Sequence, residues 1–160
     1  MTSAQQLIQE LQLLPHPEGG YYKETYRTEE QITTSEGNIR NCCTAIYFML
    51  ENENKSHFHR IQSDELWFFH QGEPMEIVSI QEGKLHTTLL GSNILQGEVP
   101  QLIIPAHTWF AAKMKNSTGY ALVSCTVSPG FDFADFELAT KKDLIQEYPH
   151  LKDVIENFCW

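Results

Sequence analysis

The feature that most constrains the fold is a series of short apolar segments separated by turn residues, which runs from about residue 21 to residue 139. Glycine, proline and asparagine mark the turns, and the segments between them are either alternating or continuously apolar. Such a series is typical of an all-β sandwich or barrel. The predicted strands include Tyr21–Arg27, Thr44–Leu50, Leu66–Phe69, Met75–Ile80, Lys84–Leu90, Gln101–Ile104, Trp109–Met114 and Tyr120–Val127.

Helical patterns flank this series. Residues 3–14 carry an apolar stripe behind Ser3, a residue type that caps helices. The prolines and glycines of Pro15–Gly20 stop that helix. Two further helical segments, Lys141–Tyr148 and Leu151–Phe158, follow the strands. The sequence therefore predicts a β domain with short helices at both ends.

The chain has 160 residues, the length of one domain, and its composition shows no linker or internal repeat. We predict a single domain over residues 1–160. It comprises an N-terminal helix and turn (1–20), a β barrel (21–139) and a C-terminal helical tail (140–160).

Net charge and cysteine spacing exclude some classes of binding partner and indicate the location of the protein. The net charge of -10 argues against nucleic acid and against anionic membrane surfaces as partners. The four cysteines show no CxxC pair and no disulfide-framework spacing, and the N-terminus lacks a signal-peptide pattern. We expect reduced thiols and a cytoplasmic location.

Two histidines one residue apart, His57 and His59, precede a carboxylate at Glu65. Side chains alternate along a strand, so both imidazoles are expected on the same face. Two imidazoles and a carboxylate form the ligand set of many Fe, Mn, Ni and Zn sites. We predict a metal site made by His57, His59 and Glu65, with His59 and Glu65 as the catalytic pair.

The spacing of Glu65 and Gly72, with six residues between them, resembles the first signature motif of the cupins. That motif places three or four residues between its second histidine and its glutamate, whereas five residues separate His59 from Glu65 here. In the region similar to the second cupin motif, Phe110 stands at the position of the third metal histidine. His107 is the candidate replacement, and the cofactor is either one divalent metal (Fe, Mn, Ni or Zn) or none.

Four motifs together resemble the small "cupin 5" family, a domain of unknown function. They are His16-Pro17-Glu18-Gly19-Gly20-Tyr21-Tyr22, His59-Arg60 with Ser63-Asp64-Glu65-Leu66-Trp67, Pro105-Ala106-His107-Thr108-Trp109, and Ser128-Pro129-Gly130-Phe131-Asp132-Phe133. The resemblance implies an all-β, cupin-type double-stranded β-helix (a jelly-roll barrel) with short terminal helices. It also implies a homodimer that exchanges edge strands. We expect the strand Tyr21–Arg27 to cross to the partner, and we interpret His16–Gly20 as the structural turn that delivers it.

Aromatic and polar residues near these motifs form the predicted ligand pocket. Trp67 and Phe69 share the strand face of Glu65 and are expected beside it. Flat rings near a few polar groups suit a planar or cyclic small molecule, such as a sugar nucleotide, a nucleobase or an aromatic acid. The predicted pocket residues are Tyr22, Tyr47, Arg60, Trp67, Phe69, His107, Trp109 and Phe110.

Two classes of function fit this sequence. One is a small-molecule enzyme: a metal-dependent dioxygenase or isomerase, or an isomerase or epimerase working by acid–base chemistry without metal. In the metal-free form, His59 or His107 would be the base and Tyr22 or Tyr47 the acid. The other class is a non-catalytic binding module with a degenerate metal site. The sequence leaves open whether the chain is an enzyme at all.

Overall fold

The computed structural model describes residues 3–160, so the first two residues of the predicted segment 1–20 lie outside the described part. Thirteen strands are found within it, in agreement with the predicted all-β fold. They are β1 (Leu14–Pro15), β2 (Tyr21–Arg27), β3 (Gln31–Thr33), β4 (Ile39–Asn41), β5 (Thr44–Glu51), β6 (Lys55–Arg60), β7 (Asp64–Gly72), β8 (Met75–Gln81), β9 (Lys84–Leu90), β10 (Gln101–Ile104), β11 (Trp109–Met114), β12 (Tyr120–Ser128) and β13 (Glu137–Leu138).

Two antiparallel sheets enclose the core. The first sheet has the strand order β1-β2-β5-β12-β7-β10, and the second has the order β13-β6-β11-β8-β9. Strands β3 and β4 form a separate hairpin. Neighbours in the sheets are often distant in sequence, as β5 and β12 are, so the fold depends on long-range pairing.

Short helices cover the outer faces of both sheets. They are α1 (Ala4–Glu10), α2 (Lys141–Glu147) and α3 (Lys152–Phe158). α1 begins with the expected Ser3 cap, which forms a reciprocal capping box with Gln6. α1 packs on the first sheet, and α2 and α3 pack on the second. In the described part of the chain, no helix has both the length and the apolar character needed to cross a membrane.

A β-bulge in β6 decides which of its side chains enter the barrel. Phe110 of β11 lies opposite His59, and Ala112 lies opposite Ser56, so β6 has one residue more than its partner between these positions. An extra residue reverses the alternation of faces. Ser56 and His59 therefore both point inward, although three positions separate them.

Candidate functional site

One end of the barrel interior is a cavity of about 580 Å³ between the two sheets. Its wall combines aliphatic and aromatic side chains with several ionisable groups. The lining residues are Leu14, His16, Glu18, Tyr22, Lys23, Glu24, Arg27, Thr44, Ile46, Phe48, His59, Ile61, Glu65, Trp67, Cys125, Val127, Phe131, Asp132, Phe133 and Phe136. This size and mixed lining are typical of small-molecule sites.

Glu18 enters the cavity from the turn between β1 and β2. Its carboxylate accepts a hydrogen bond from Ser56 Oγ at 2.8 Å and lies 3.0 Å from His59 Nε2. The turn lies directly on β6: a Cβ on Gly19 would be 1.9 Å from the backbone oxygen of Lys55, and Gly19 has a φ of +108°. Only glycine satisfies both conditions. The glycine thus lets the turn approach closely enough for Glu18 to reach His59.

His59 uses both ring nitrogens within the protein. Its Nδ1 donates to the backbone oxygen of His57 at 2.7 Å, and its Nε2 faces Glu18. Burial alone would lower the pKa of His59, but the neighbouring Glu18 carboxylate outweighs burial and raises it. Burial likewise raises the pKa of Glu18, and its contacts with His59 lower it below the ordinary value. The pair is therefore a buried imidazolium and carboxylate.

Glu65 is the second buried carboxyl group of the cavity and is 7% exposed. Burial raises its pKa to about 7, and the negative charge of Glu18 adds to this effect. His59, Cys125 and Trp67 oppose it. Trp67 Nε1 is nevertheless buried without a hydrogen-bond partner among residues 3–160, so the indole stabilises the carboxylate through proximity, without a well-formed hydrogen bond. Glu65 therefore exchanges its proton near neutral pH.

His16 lies on the other side of Glu18. Its Nδ1 accepts a hydrogen bond from the backbone N–H of Glu18 at 3.2 Å. Burial lowers the pKa of His16, although the nearby Glu18 charge partly offsets this effect. Its ring contacts the edge of Tyr22, with 4.6 Å between centroids. His16 is thus a neutral imidazole in an aromatic surrounding.

Three phenylalanines form a rim around the cavity. The ring of Phe133 lies 4.9 Å from that of Phe131 and 6.0 Å from that of Phe136. Phe133 is 51% exposed, so its ring is accessible from solvent. Arg27 fixes this rim to β2, because its guanidinium donates to the backbone oxygen of Phe131 at 3.0 Å.

The structure brings four of the predicted site residues into the cavity wall, namely His59, Glu65, Tyr22 and Trp67. Two more belong to the apolar core beyond this wall. Phe110 lies 4.2 Å from the His59 ring, and Phe69 packs with the interior cluster farther along the barrel.

The other predicted pocket residues lie outside the cavity. Tyr47 is on the outer face of the first sheet with α1, and Trp109 packs under α2 and α3. Arg60 covers the Trp109 ring at 4.2 Å and pairs with Glu137. His107 is exposed, with a φ of +62°, and its ring is 4.0 Å from Glu36. Strand alternation directs Tyr47 and Trp109 outward, and the turn before β11 carries His107 away from the site.

His57 also departs from its expected position. The bulge turns its ring away from the cavity, where it stacks on Trp160 with 3.6 Å between centroids. His57, His59 and Glu65 therefore do not converge. Within residues 3–160, no group of three His, Cys, Asp or Glu side chains has an arrangement suited to holding a metal ion. His107 does not supply a replacement, and the residues present do not fit the predicted metal centre.

Sequence reasoning missed the importance of His16 and Glu18, which we interpreted as part of a structural turn. A carboxylate beside two glycines ordinarily indicates an exposed turn. The available signal was the succession His-Pro-Glu-Gly-Gly directly before a tyrosine-rich strand. That signal does not reveal burial, which depends on the contact with β6.

Comparison with known proteins agrees with this architecture. The family model described as "Cupin superfamily (DUF985)" matches residues 5–139. The uncharacterized protein YML079W of Saccharomyces cerevisiae is 30% identical over 94% of this chain and 80% of its own length. A hypothetical protein from Leishmania major superposes with a TM-score of 0.93 at 37% identity, covering 99% of both chains. Protein SO0799 from Shewanella oneidensis has the same TM-score at 40% identity and covers 100% of this chain and 99% of its own.

A more distant likeness extends to an enzyme. Oxalate decarboxylase from Bacillus subtilis superposes with a TM-score of 0.57 at 14% identity, over 90% of this chain and 36% of the enzyme. The B. subtilis enzyme has Mn(II) centres. At this identity the likeness concerns the jelly-roll fold alone. The family match over most of the chain and the two-sheet architecture lead to one conclusion: the chain belongs to the DUF985 family of the cupin superfamily.

Proposed function

We propose that the cavity catalyses proton transfer on a small metabolite, in an isomerase or epimerase type of reaction, with Glu65 as the group that gives and takes the proton. The observation that carries this proposal is the pKa of about 7 for a buried carboxyl group in the cavity wall. A general acid–base catalyst works best when its pKa lies near the operating pH. A solvent-exposed carboxylate keeps its ordinary, lower pKa and does not meet this condition.

The Glu18–His59 pair supplies the electrostatic part of the proposal. Because both His59 nitrogens are already engaged, the ring acts as a fixed positive charge. Such a charge stabilises the carboxylate form of Glu65 and any negative charge that develops on a substrate after proton removal. This differs from the expectation that a histidine is the base. Tyr22, which lines the same cavity, is the candidate for a second proton-transfer group.

The cavity favours a ligand with a flat or cyclic part. Phe133 offers an accessible ring at the rim, while the buried ionisable groups Glu18, His59 and Glu65 lie inside the cavity. A volume of about 580 Å³ accommodates a ligand of ordinary metabolite size. A planar portion would stack at the rim while the reacting carbon faces Glu65.

A dioxygenase would require the predicted metal, and its ligand set is not assembled. His57 faces Trp160, and both His59 nitrogens contact protein groups. We therefore propose no step through a metal. Elemental analysis of protein purified without chelator tests this part directly, because a near-stoichiometric metal content would require a rearranged site.

We also propose that the protein forms a homodimer through strand exchange or addition at β2. In this single chain β2 pairs with β5, while β1 covers it at Tyr21 and Tyr22. Among the described strands, no other one pairs with the outer edge from Lys23 to Arg27. A free edge of this kind accepts a strand from a second copy.

The experiment that tests the proposed reaction is solvent deuterium incorporation. The protein is incubated in D₂O with a panel of keto sugars, both free and nucleotide-linked, and exchange at carbons next to the carbonyl is followed by NMR. We expect exchange with the wild type and at least a hundredfold slower exchange with Glu65→Gln, the range that general acid–base catalysis contributes. Phe69→Leu, a change in the apolar core behind the site, serves as the matched control.

Two outcomes would contradict the proposal. Equal exchange rates in the wild type and Glu65→Gln would remove Glu65 from the reaction. Binding of panel compounds by both proteins without any exchange would favour the non-catalytic binding module.

A further inference from the structure

We propose that His57 is a positioning residue that keeps the buried Glu18 carboxylate in contact with the His59 ring, and that Trp160 holds the His57 ring in place. This role concerns the ligand-free protein and is independent of the reaction proposed for Glu65. It gives a structural role to His57, whose ring faces away from the cavity.

His57 contacts both members of the pair. Its backbone N–H donates to the backbone oxygen of Glu18 at 2.7 Å. Its ring Nδ1 lies 2.8 Å from the same oxygen. A carbonyl oxygen only accepts, so this nitrogen carries the proton and donates. The backbone oxygen of His57 in turn accepts from His59 Nδ1 at 2.7 Å. One residue thus fixes the turn that carries Glu18 and the ring that Glu18 faces.

Trp160 restricts the His57 ring. The two rings are stacked with 3.6 Å between centroids and an interplanar angle of 21°. Trp160 follows α3, which is anchored in the core by Ile155 at 0% and Phe158 at 3% exposure. Trp160 itself is 69% exposed, so it adds little to the core. Because it stacks on the face of the His57 ring, Trp160 limits rotation of that ring.

The turn that carries Glu18 needs the hydrogen bonds from His57 because two of its residues have left-handed backbone conformations. Gly19 and Gly20 both have positive φ values, of +108° and +74°. Two glycines in succession give the turn many alternative conformations once its contacts are removed. Gly19 N–H donates to the His16 oxygen and His16 N–H donates to the Gly20 oxygen within the turn, both at 3.0 Å, and the two hydrogen bonds from His57 to the Glu18 oxygen attach the turn to β6. Without the ring donor, the Glu18 carboxylate samples positions away from His59 Nε2.

The ring N–H protons of His59 show directly whether the Glu18 carboxylate stays in contact with His59 Nε2. In the wild type, both the Nδ1–H and the Nε2–H of His59 are hydrogen-bonded and buried, so both should give slowly exchanging imidazole N–H signals in NMR spectra. The Nδ1–H binds a backbone oxygen that every substitution at position 57 retains. The Nε2–H depends on Glu18. The two protons of one ring therefore provide a signal and its internal reference.

The experiment compares N–H exchange in the wild type, His57→Ala, His57→Asn, Trp160→Ala and Trp160→Phe. Asparagine places an N–H donor near the position of Nδ1, and phenylalanine retains a ring for stacking. His150→Ala is the matched control, since His150 also bonds a backbone oxygen, that of Gly83, on an exposed surface. We expect Nε2–H exchange to become roughly fivefold faster in His57→Ala, the effect of one lost hydrogen bond, and somewhat less in Trp160→Ala.

The same proposal predicts that His57→Asn and Trp160→Phe restore slow Nε2–H exchange, that Nδ1–H exchange stays unchanged throughout, and that His150→Ala has no effect. Unchanged Nε2–H exchange in His57→Ala would overturn the positioning role. So would equal acceleration of both protons, which indicates general loosening of β6, or the absence of a protected Nε2–H signal in the wild type. None of these results depends on whether Glu65 transfers protons.

Discussion

The two ends of the barrel interior share strands β5 and β12 but are filled differently. At the filled end, apolar side chains from both sheets close the space; they are Leu50, Met75, Leu90, Met114 and Ala121, each at most 1% exposed. At the cavity end, strands β5, β7 and β12 present Ile46, Phe48, Glu65, Trp67 and Cys125 around open volume. β5 contributes Leu50 to the filled end and Phe48 to the cavity end, and β12 contributes Ala121 and Cys125 in the same way. The side chains that stabilise the domain by packing and the groups available for chemistry therefore lie at opposite ends of the barrel interior. On a strand that reaches both ends, only a few residues separate the two kinds of position.

The largest effect is expected from breaking the ion pair at the cavity end. Glu18→Ala leaves the His59 imidazolium buried without its partner, and we expect a loss of about 3–5 kcal/mol in the free energy of unfolding. Denaturant unfolding near neutral pH measures it. At a pH well above the ordinary histidine pKa, the neutral His59 should recover part of this loss. A loss below about 1 kcal/mol would show that the pair is not buried as described.

At the filled end, Leu50→Ala should cost about 3 kcal/mol, because it removes a fully buried side chain and leaves a void in a packed region. Denaturant unfolding again provides the measurement. The deuterium-exchange activity of the folded variant should be retained, since Leu50 does not line the cavity. If the folded Leu50→Ala variant lost its exchange activity as well as stability, the separation of the two ends would be contradicted.

Glu65 should make stability fall as pH rises. Its folded pKa of about 7 lies above its ordinary value of 4.5, so the folded state favours the protonated form. Stability is therefore unaffected below about pH 4.5, decreases between that value and about pH 7, and stays lower above it. A shift of this size corresponds to about 3 kcal/mol. Glu65→Gln should remove this dependence and make the protein more stable above pH 7. Parallel stability curves for both proteins between pH 5 and pH 8 would contradict the raised pKa of Glu65.

The smallest effect on stability is expected at the rim. Phe133 is half exposed, so Phe133→Ala should change the free energy of unfolding by less than about 1 kcal/mol. If the rim binds the planar part of a ligand, the same variant should weaken binding of the compounds found active in the exchange assay. Isothermal titration of wild type and variant tests this, and unchanged affinity would remove Phe133 from the binding surface.

Individual residues show how far sequence reasoning reaches. The predicted bounds of β9, β10 and β11 agree with the structure, and the Ser3 cap forms as expected. Glu65 and Trp67 face the cavity as their shared parity indicates. Tyr47 and Trp109 were assigned to the pocket because aromatic residues fill barrels, but alternation alone does not say which face of a strand is inward. That choice depends on the outer helices, which cover one face of each sheet.

The sequence by itself determined the all-β class, the order of the longer strands and the helices, the family, and the presence of histidine and carboxylate groups near the centre of the chain. Only the tertiary structure decided which of these groups meet. The bulge opposite Phe110 turns His59 inward and His57 outward, and the close contact of Gly19 with β6 brings Glu18 to His59. Both depend on pairing between distant segments, which local periodicity does not encode. A single extra residue in one strand therefore separated the predicted metal ligands and assembled a buried ion pair in their place.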